Sequence, residues 1–257
     1  MNTLNTIEEK GRLNYYDLCI SNKDWDRGNL KEALNFIRQQ YIAGNIRSML
    51  EIGCGMGDIV PQLPTGLRYT CIDPVEYPIS QAKKNYPNQI FVISFAENMP
   101  FDDSSFDFIF SFQTMQMIKD PRRVLNEIVR VLKPNGYILL IAPNMECPWS
   151  SSNSLKHQSR WELFTLTIKR FFDLFSRFFG KSAFRVIPET YAEATGDYDG
   201  KDNDLKYLLS TWEIVYYLKS HRFKDIGTKK SKYALMRDID VLQYYGGGIF
   251  LLMQKTT

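Results

Sequence analysis

Glycines at positions 53, 55 and 57 follow directly on an apolar segment, residues 46–52, that has the composition of a buried strand. A side chain at these positions would block a ligand that lies against the backbone. A turn at the carboxyl end of a strand also presents free backbone amides where it leads into a helix. The pattern predicts an α/β fold with either a ligand-binding turn or a glycine-rich loop that binds nothing.

Two carboxylates favour the ligand-binding alternative. Glu51 lies within the apolar strand, where an uncompensated charge costs roughly several kcal/mol. It therefore needs a cationic or hydrogen-bonding partner, such as the amino group of a cofactor reached through water or backbone amides. Asp73 follows the next predicted strand, residues 68–72, where a carboxylate can accept both hydroxyls of a ribose.

Two other classes of nucleotide-binding turn do not fit. The dinucleotide fingerprint G-x-G-x-x-G requires glycine at position 58, where this chain has Asp58. No lysine with an adjacent serine or threonine follows the glycines, as a loop for a nucleoside triphosphate requires. The turn is therefore predicted to bind neither a dinucleotide nor a nucleoside triphosphate.

Predicted strands and helices alternate from residue 46 onward, which implies a parallel sheet with helices on both faces. Ser80 is the predicted N-cap of one helix, and another follows Asp120 with proline at its first position. Pro61 and Pro64 predict that the helix after the glycine turn is short or displaced. The further predicted strands are 90–94, 106–112, 137–141, 223–229 and 248–254, and the predicted helices are 80–86, 121–132 and 211–220.

The chain extends this core at its amino end and by an insertion. Its 257 residues suit one large α/β domain. We expect residues 1–45 to form a helical cap, clearest at 30–41, and residues 46–257 to form the α/β domain. Residues 144–204 interrupt the strand and helix pattern and are predicted to be an inserted lid or acceptor region.

Composition restricts the environment and the partners. The net charge of +3 is too small to imply a nucleic-acid partner. The polar N-terminus of mixed charge excludes a secretory signal, and no apolar run approaches the roughly 18 residues that span a bilayer. We expect a cytoplasmic protein that contacts a membrane at most peripherally. The cysteines are far apart and lack metal-ligand spacing, so we expect no metal site and a reduced compartment for Cys19, Cys54, Cys71 and Cys147.

Five segments in order make the chain resemble the class I methyltransferases that use S-adenosyl-L-methionine as cofactor. They are residues 51–57, 71–74, 94–101, 106–111 and 130–136. The resemblance implies a Rossmann-like sheet of seven mostly parallel strands in the order 3-2-1-4-5-7-6, with the ligand between strands 1 and 4. It assigns cofactor binding to Glu51, Gly53, Cys54, Gly55, Gly57, Asp73, Pro74, Ala96, Glu97 and Ser111.

The resemblance leaves the catalytic residues open. Methyl transfer from a sulfonium is an in-line displacement, so much of its acceleration comes from alignment and from exclusion of water. A sugar hydroxyl acceptor needs a base, whereas an amine or phenolate needs little help. Many relatives have a histidine shortly after the fourth strand, where this chain has Met117. His221 has a structural position after the last helix, and His157 is either the base or an exposed loop residue.

The insertion separates into a basic half and an acidic half. Residues 155–187 contain seven Lys/Arg and two Asp/Glu, and residues 188–204 contain six Asp/Glu and one Lys. Aromatic residues recur at helical spacing from Trp161 to Phe179. Such a helix either packs on the domain or on a second subunit of a homodimer, or lies in a lipid interface. We expect a lid with buried phenylalanines.

The predicted activity is methyl transfer to an oxygen or nitrogen atom of a small-molecule or glycan acceptor. Residues 202–218 are similar to part of some bacterial methyltransferases encoded with surface-polysaccharide enzymes, which favours a glycan or a lipid-linked glycan. The alternatives are a non-catalytic partner protein that binds adenosylmethionine, and a methyltransferase of a lipid-linked or nucleic-acid acceptor. Methylation of base amines is disfavoured because residues 111–114 lack an Asn-Pro-Pro-Tyr pattern.

Overall fold

Strands and helices alternate along the part of the chain that the computed structural model describes, which comprises residues 27–118, 120–143, 159–177, 185–187, 206–208, 211–230 and 248–257. Short 3-10 turns lie at Val60–Gln62 and Met115–Met117. The elements are α1 (Arg27–Ile42), β1 (Ser48–Ile52), β2 (Arg68–Asp73), α2 (Glu76–Asn85), β3 (Ile90–Ile93), β4 (Phe106–Phe112), α3 (Pro121–Val131), β5 (Leu132–Pro143), α4 (Arg160–Arg177), β6 (Arg185–Ile187), β7 (Lys206–Leu208), α5 (Thr211–Ser220), β8 (Phe223–Asp225) and β9 (Gly248–Lys255).

Seven of these strands form one sheet in the order β3-β2-β1-β4-β5-β9-β8. Strands β1 to β5 run parallel, whereas β9 is antiparallel to both β5 and β8. Numbered within this sheet, the order is 3-2-1-4-5-7-6, so the predicted fold is confirmed. Strands β6 and β7 form a separate antiparallel pair. The strand order reverses between β1 and β4, and α/β sheets bind ligands at the carboxyl ends of strands at such a point.

An apolar layer covers each face of the sheet. Successive residues of a strand point to opposite faces. Leu50 and Ile52 of β1 therefore join the layer that α3 and α5 complete, whereas Met49 joins the layer of α1 and α2. The central strands are buried on both faces, as the apolar composition of residues 106–112 predicts.

The two helix starts predicted from capping residues had different outcomes. Helix α3 begins as predicted, because the Asp120 side chain accepts a hydrogen bond from the Arg123 amide at 3.2 Å. The prediction for α2 was wrong, since this helix begins at Glu76 and Ser80 lies inside it. Pro78 does not prevent the earlier start, because the first turn of a helix leaves its amides without helical partners.

Two predicted elements differ from the structure: one strand is shorter than expected, and the helix predicted after the glycine turn is only a 3-10 turn. The predicted strand 223–229 ends at Asp225, whose carboxylate accepts hydrogen bonds from the amides of Gly227 (3.2 Å) and Thr228 (2.9 Å) and so turns the chain. After the glycine turn only the 3-10 turn Val60–Gln62 forms. The two prolines in that segment predict this interruption.

A half-buried carboxylate joins β1 to β4 at their amino ends. Asp107 accepts hydrogen bonds from the amides of Arg47 (2.9 Å) and Ser48 (2.8 Å) and forms an ion pair with Lys133 (2.8 Å). Burial by itself would raise the pKa of Asp107, but the hydrogen bonds, that from Lys133 first, lower it overall. Asp107 therefore stabilises the pairing of the two strands that flank the crevice.

Helix α4 contradicts the expected burial of the insertion's aromatic residues. No other described helix or strand packs extensively against this helix. Helical spacing predicts that aromatic residues share a face, but it does not determine what covers that face. Phe178, Phe179 and the acidic half of the insertion lie outside the described residues. The phenylalanines that are described, and the tryptophan, are exposed to between 50% and 77%: Trp161, Phe164, Phe171, Phe172 and Phe175.

Among the residues that the structure describes, no helix combines the length and apolar character needed to cross a membrane.

Candidate cofactor site at the carboxyl ends of β1, β2 and β4

The predicted glycine turn follows β1 and has a left-handed backbone. Gly53, Gly55 and Gly57 have φ values of +75°, +52° and +78°, a region that other residues adopt only with strain. The Gly53 amide donates to the Ile72 carbonyl at 2.7 Å, which holds the turn against β2. A Cβ atom on Gly53 would overlap the Thr114 side chain. Both the backbone and the available space therefore require glycine at position 53.

Asp73 ends β2 beside this turn. Its Oδ2 accepts a hydrogen bond from the Gly55 amide at 3.1 Å, and its Oδ1 accepts one from the Val75 amide at 3.0 Å. The carboxylate is buried, and these amides hold it at the carboxyl edge of the sheet. The structure therefore brings together the predicted glycine turn and the predicted ribose-binding acid, with the exposed Pro74 following directly.

Glu51 has the hydrogen-bonding partner that its burial requires. The Tyr69 hydroxyl donates to Glu51 Oε2, and both residues are buried below the glycine turn. Burial raises the pKa of Glu51 to about 8, although the hydrogen bond from Tyr69 opposes this rise and the charges of Asp58 and Asp73 add to it. Burial, and then the charge of Glu51, raises the pKa of Tyr69. Glu51 is therefore largely protonated at neutral pH in the structure described.

Sequence reasoning missed Tyr69, although β-strand alternation contains a signal for it. Parallel pairing places Cys71 opposite Glu51. Since every second residue of a strand points to the same face, Tyr69 and Asp73 lie on the face of Cys71. An aromatic hydroxyl two residues before that partner can reach the carboxylate.

The cysteine prediction was wrong for one pair. Cys54 in the glycine turn and Cys71 in β2 form a disulfide, with Cα atoms 6.0 Å apart, a separation typical of disulfides. They are 17 residues apart in sequence, and the parallel pairing of β1 with β2 brings them together. Cys19 and Cys147 lie outside the described residues. A cytoplasmic location stays a prediction. The cysteines do not support it, because disulfides are rare in reducing compartments.

The segment after β4 contacts the glycine turn across the crevice. The Ser111 hydroxyl donates to the Ile52 carbonyl at 3.2 Å, and the Thr114 hydroxyl donates to the Gly53 carbonyl at 3.1 Å. Ser111 is fully buried. Thr114 was not predicted as a site residue. The structure identifies it as one, because a side chain at position 53 would overlap it. Met117 lies in the following 3-10 turn and is partly exposed.

The segment after β3 lies next to Asp73. The Ser94 amide donates to the Asp73 carbonyl at 3.2 Å. Ala96 is buried and Glu97 partly buried, and their assignment to the cofactor stays a prediction.

Two residues of α3 that sequence reasoning did not single out hold this segment. Glu127 accepts a hydrogen bond from the Met99 amide at 2.7 Å. Arg130 donates to the carbonyls of Met99 (3.0 Å) and Phe101 (2.6 Å). The hydrogen bond from Arg130, and then that from Met99, lowers the pKa of Glu127 although burial opposes this. The pair therefore fixes the backbone that borders the candidate site.

The histidines provide no base in the described part of the site. His157 lies outside the described residues. His221 stacks on the Tyr217 ring, with 4.2 Å between ring centroids, and its Nδ1 lies 2.8 Å from the Tyr217 carbonyl oxygen. These contacts are at the end of α5, next to the edge strand β8.

Comparison with known proteins assigns the central part of the chain. Residues 50–140 match the family model described as a methyltransferase domain. The chain is similar to the phthiotriol/phenolphthiotriol dimycocerosates methyltransferase of Mycobacterium tuberculosis, with 38% identity over 96 residues, 35% of this chain and 36% of the relative. It is also similar to thiol S-methyltransferase TMT1B of Rattus norvegicus, with 30% identity over 115 residues, 42% of this chain and 47% of the relative. The chain thus spans less than half the length of these relatives.

Solved structures share the fold at low sequence identity. A putative S-adenosylmethionine-dependent methyltransferase from Listeria monocytogenes matches with a TM-score of 0.57 and 14% identity, covering 91% of this chain and 100% of that one. A SAM-dependent methyltransferase from Methanosarcina mazei matches with a TM-score of 0.50 and 22% identity, covering 81% and 92%. These two matches confirm the fold, and the family model indicates a methyltransferase domain over residues 50–140.

Proposed function

We propose that the chain, whose residues 50–140 match a methyltransferase domain, transfers the methyl group of S-adenosylmethionine to an oxygen or nitrogen atom of a small-molecule or glycan acceptor. The observation that carries the proposal is the convergence of the glycine turn, Asp73 and Glu51 at the switch point between β1 and β4. Within this class we favour a lipid-linked glycan. The phthiotriol dimycocerosates named for one relative support that choice.

The residues at the edge of the sheet fit the cofactor. The amides of Gly55 and Val75 hold the Asp73 carboxylate at the edge of the sheet. We assign this carboxylate to the ribose, whose hydroxyls a charged acceptor suits. The left-handed backbone at Gly53, Gly55 and Gly57 forms the turn that we assign to the cofactor. We assign Pro74 and the buried Ala96 to the same pocket, together with Cys54, Glu97 and Ser111.

Glu51 fits a cationic group of the cofactor. A carboxyl whose ionised form is disfavoured by burial gains most from a nearby positive charge. The amino group of adenosylmethionine supplies such a charge, either directly or through water. We therefore assign Glu51, positioned by the Tyr69 hydroxyl, to the methionine end of the cofactor and Asp73 to the ribose end.

The bound cofactor supplies an electrophilic methyl group on a sulfonium. The protein's contribution is to align the acceptor with that group and to exclude water. We assign the acceptor to the insertion 144–204, because packing and cofactor binding account for residues 46–142. A hydroxyl acceptor further requires a base, for which His157 is the candidate.

Calorimetry on two Asp73 variants tests the cofactor assignment. Asp73→Ala removes a charged acceptor from the ribose and should weaken binding of adenosylmethionine by about 1–3 kcal/mol. Asp73→Asn keeps one carbonyl acceptor and should lose less. Asp102→Ala, which removes an exposed carboxylate elsewhere, is the control. Unchanged affinity in Asp73→Ala would rule out the assignment of Asp73 to the ribose.

Mass spectrometry tests the transfer itself. The protein is incubated with cofactor bearing a deuterated methyl group and with membrane and soluble cell fractions in parallel. A labelled product from the membrane fraction supports the lipid-linked acceptor, whereas one from the soluble fraction alone contradicts it. Replacing residues 144–204 with a short linker should preserve cofactor affinity and abolish transfer, and retained transfer would disprove the assignment of the acceptor region.

A further inference from the structure

Helix α4 presents a continuous aromatic face. Trp161 and Phe172 are 77% and 70% exposed, and Ile168 is 40% exposed. The rings of Trp161 and Phe164 contact each other edge to face, 6.1 Å between centroids. At about 100° per residue, the exposed apolar residues of the helix whose side chains the structure describes fall within an arc of about 100°: Trp161, Phe164, Ile168, Phe171, Phe172 and Phe175.

The area of this face is large for a single protein chain in water. Aromatic side chains carry roughly 150–250 Å² each, so the five at their observed exposures present on the order of 600 Å². Monomeric soluble proteins rarely expose contiguous apolar patches above a few hundred Å². The face therefore indicates an interaction surface, not incidental exposure.

Basic residues accompany the aromatic face. Residues 155–187 contain seven Lys/Arg and two Asp/Glu. By helix position, Arg160 borders one side of the arc within about 20° and Lys169 lies within about 60° of the other side. Aromatic residues flanked by Lys and Arg suit the boundary between lipid headgroups and acyl chains, where long basic side chains reach anionic groups.

We propose that the aromatic face of α4 docks on the headgroup region of an anionic membrane, with the helix lying in the membrane plane. A second copy of the chain is a poorer occupant. Most oligomers of identical chains use two-fold symmetric contacts, and such a contact through α4 would bring together two copies of a helix that has four Lys/Arg and two Asp/Glu. An anionic lipid surface complements that charge instead. The membrane contact does not depend on the proposed methyl transfer, although it would bring the chain to a lipid-linked acceptor.

Co-sedimentation of the full chain with vesicles tests the proposal. Vesicles of phosphatidylglycerol and phosphatidylcholine should bind the protein, and vesicles of phosphatidylcholine alone should bind it more weakly. Binding should fall severalfold when the salt concentration is raised about tenfold, because salt screens the basic residues. Tryptophan emission should shift to the blue with the anionic vesicles, and this shift should be reduced in Trp161→Phe.

Matched variants separate the aromatic and the charged contributions. Phe171→Ser with Phe172→Ser should reduce vesicle binding by about tenfold or more, whereas Ile42→Ser, at an 83% exposed apolar position on α1, should leave it unchanged. Lys169→Glu with Arg170→Glu should reduce both binding and its salt dependence. Lys83→Glu with Lys84→Glu, at exposed positions of α2, should have less effect.

Three outcomes would overturn the proposal. The first is no binding to anionic vesicles at low salt, and the second is binding that survives the double phenylalanine change. The third is a dimer in sedimentation velocity that the same change dissociates, since a second copy would then occupy the face. Unchanged melting temperature and cofactor affinity in the double variant show that any lost vesicle binding does not reflect misfolding.

Discussion

Glu51→Gln is the most informative single change in the candidate site. The glutamine keeps the size of the side chain and an oxygen that can accept the hydrogen bond from Tyr69, but it cannot ionise. In the native protein burial raises the pKa of Glu51 to about 8 from its ordinary value of 4.5. The native state therefore binds a proton that the unfolded state has lost at neutral pH.

The sign and size of the effect follow from this difference. Between pH 4.5 and about 8 the native state holds more protons than the unfolded state, so stability contributed by Glu51 is complete below pH 4.5 and is lost as the pH rises to about 8. Each pH unit in this window is worth about 1.4 kcal/mol. The free energy of unfolding of the wild type should thus fall by about 3–5 kcal/mol relative to Glu51→Gln across the window.

Urea unfolding at pH 5, 6, 7 and 8 (about one-unit steps) measures the difference between the two proteins. An unpaired amide hydrogen in Glu51→Gln would lower its free energy of unfolding by the same amount at every pH. Only the change of the difference with pH is therefore diagnostic. Glu76→Gln, at an exposed position in the first turn of α2, controls for removal of one carboxylate. Tyr69→Phe should move the window to higher pH, because it removes the hydrogen bond that favours the ionised form. A difference that stays constant from about pH 5 to 8 would refute the reasoning.

Three further changes test contacts around the crevice. Gly53→Ala forces a residue with a Cβ into a left-handed conformation and against Thr114, so calorimetric melting should show at least about 1–2 kcal/mol of destabilisation together with lost cofactor binding. Arg130→Lys cannot reproduce the two guanidinium donors that reach the carbonyls of Met99 and Phe101, and urea unfolding should show a loss of about 1–3 kcal/mol. Asp107→Asn should cost about 1–3 kcal/mol at neutral pH, a difference that shrinks as acid protonates the wild-type carboxylate through its lowered pKa.

The cofactor edge of the sheet was predictable because local backbone chemistry determines it. Glycines directly after an apolar segment and an acid at the end of the next strand predict a turn and a carboxylate at one edge of a parallel sheet. The structure places Gly55 and Asp73 within hydrogen-bonding distance, 3.1 Å. Strand order followed from the resemblance, since alternating elements alone are compatible with several orders.

The contacts beneath that turn were not predictable without the register of β1 against β2. The partner of Glu51 and the partner of Cys54 both lie in β2, 18 and 17 residues along the chain. A shift of one residue in the register would turn both partners to the opposite face of the sheet. The sequence shows that a buried glutamate needs a donor, but only the pairing shows that Tyr69 supplies it.

The aromatic helix shows the complementary limit. Helical spacing predicts a shared face for Trp161, Phe164 and Phe171, and the same pattern is typical of a lid and of a lipid-facing helix. The two alternatives differ only in what covers the face, which is a property of the surroundings and not of the helix. Exposure of 50% or more at each of these residues removes the argument for a lid packed on the domain in the described state. The charge of the helix then becomes the deciding evidence, and four Lys/Arg against two Asp/Glu in α4 favour an anionic surface over a second copy.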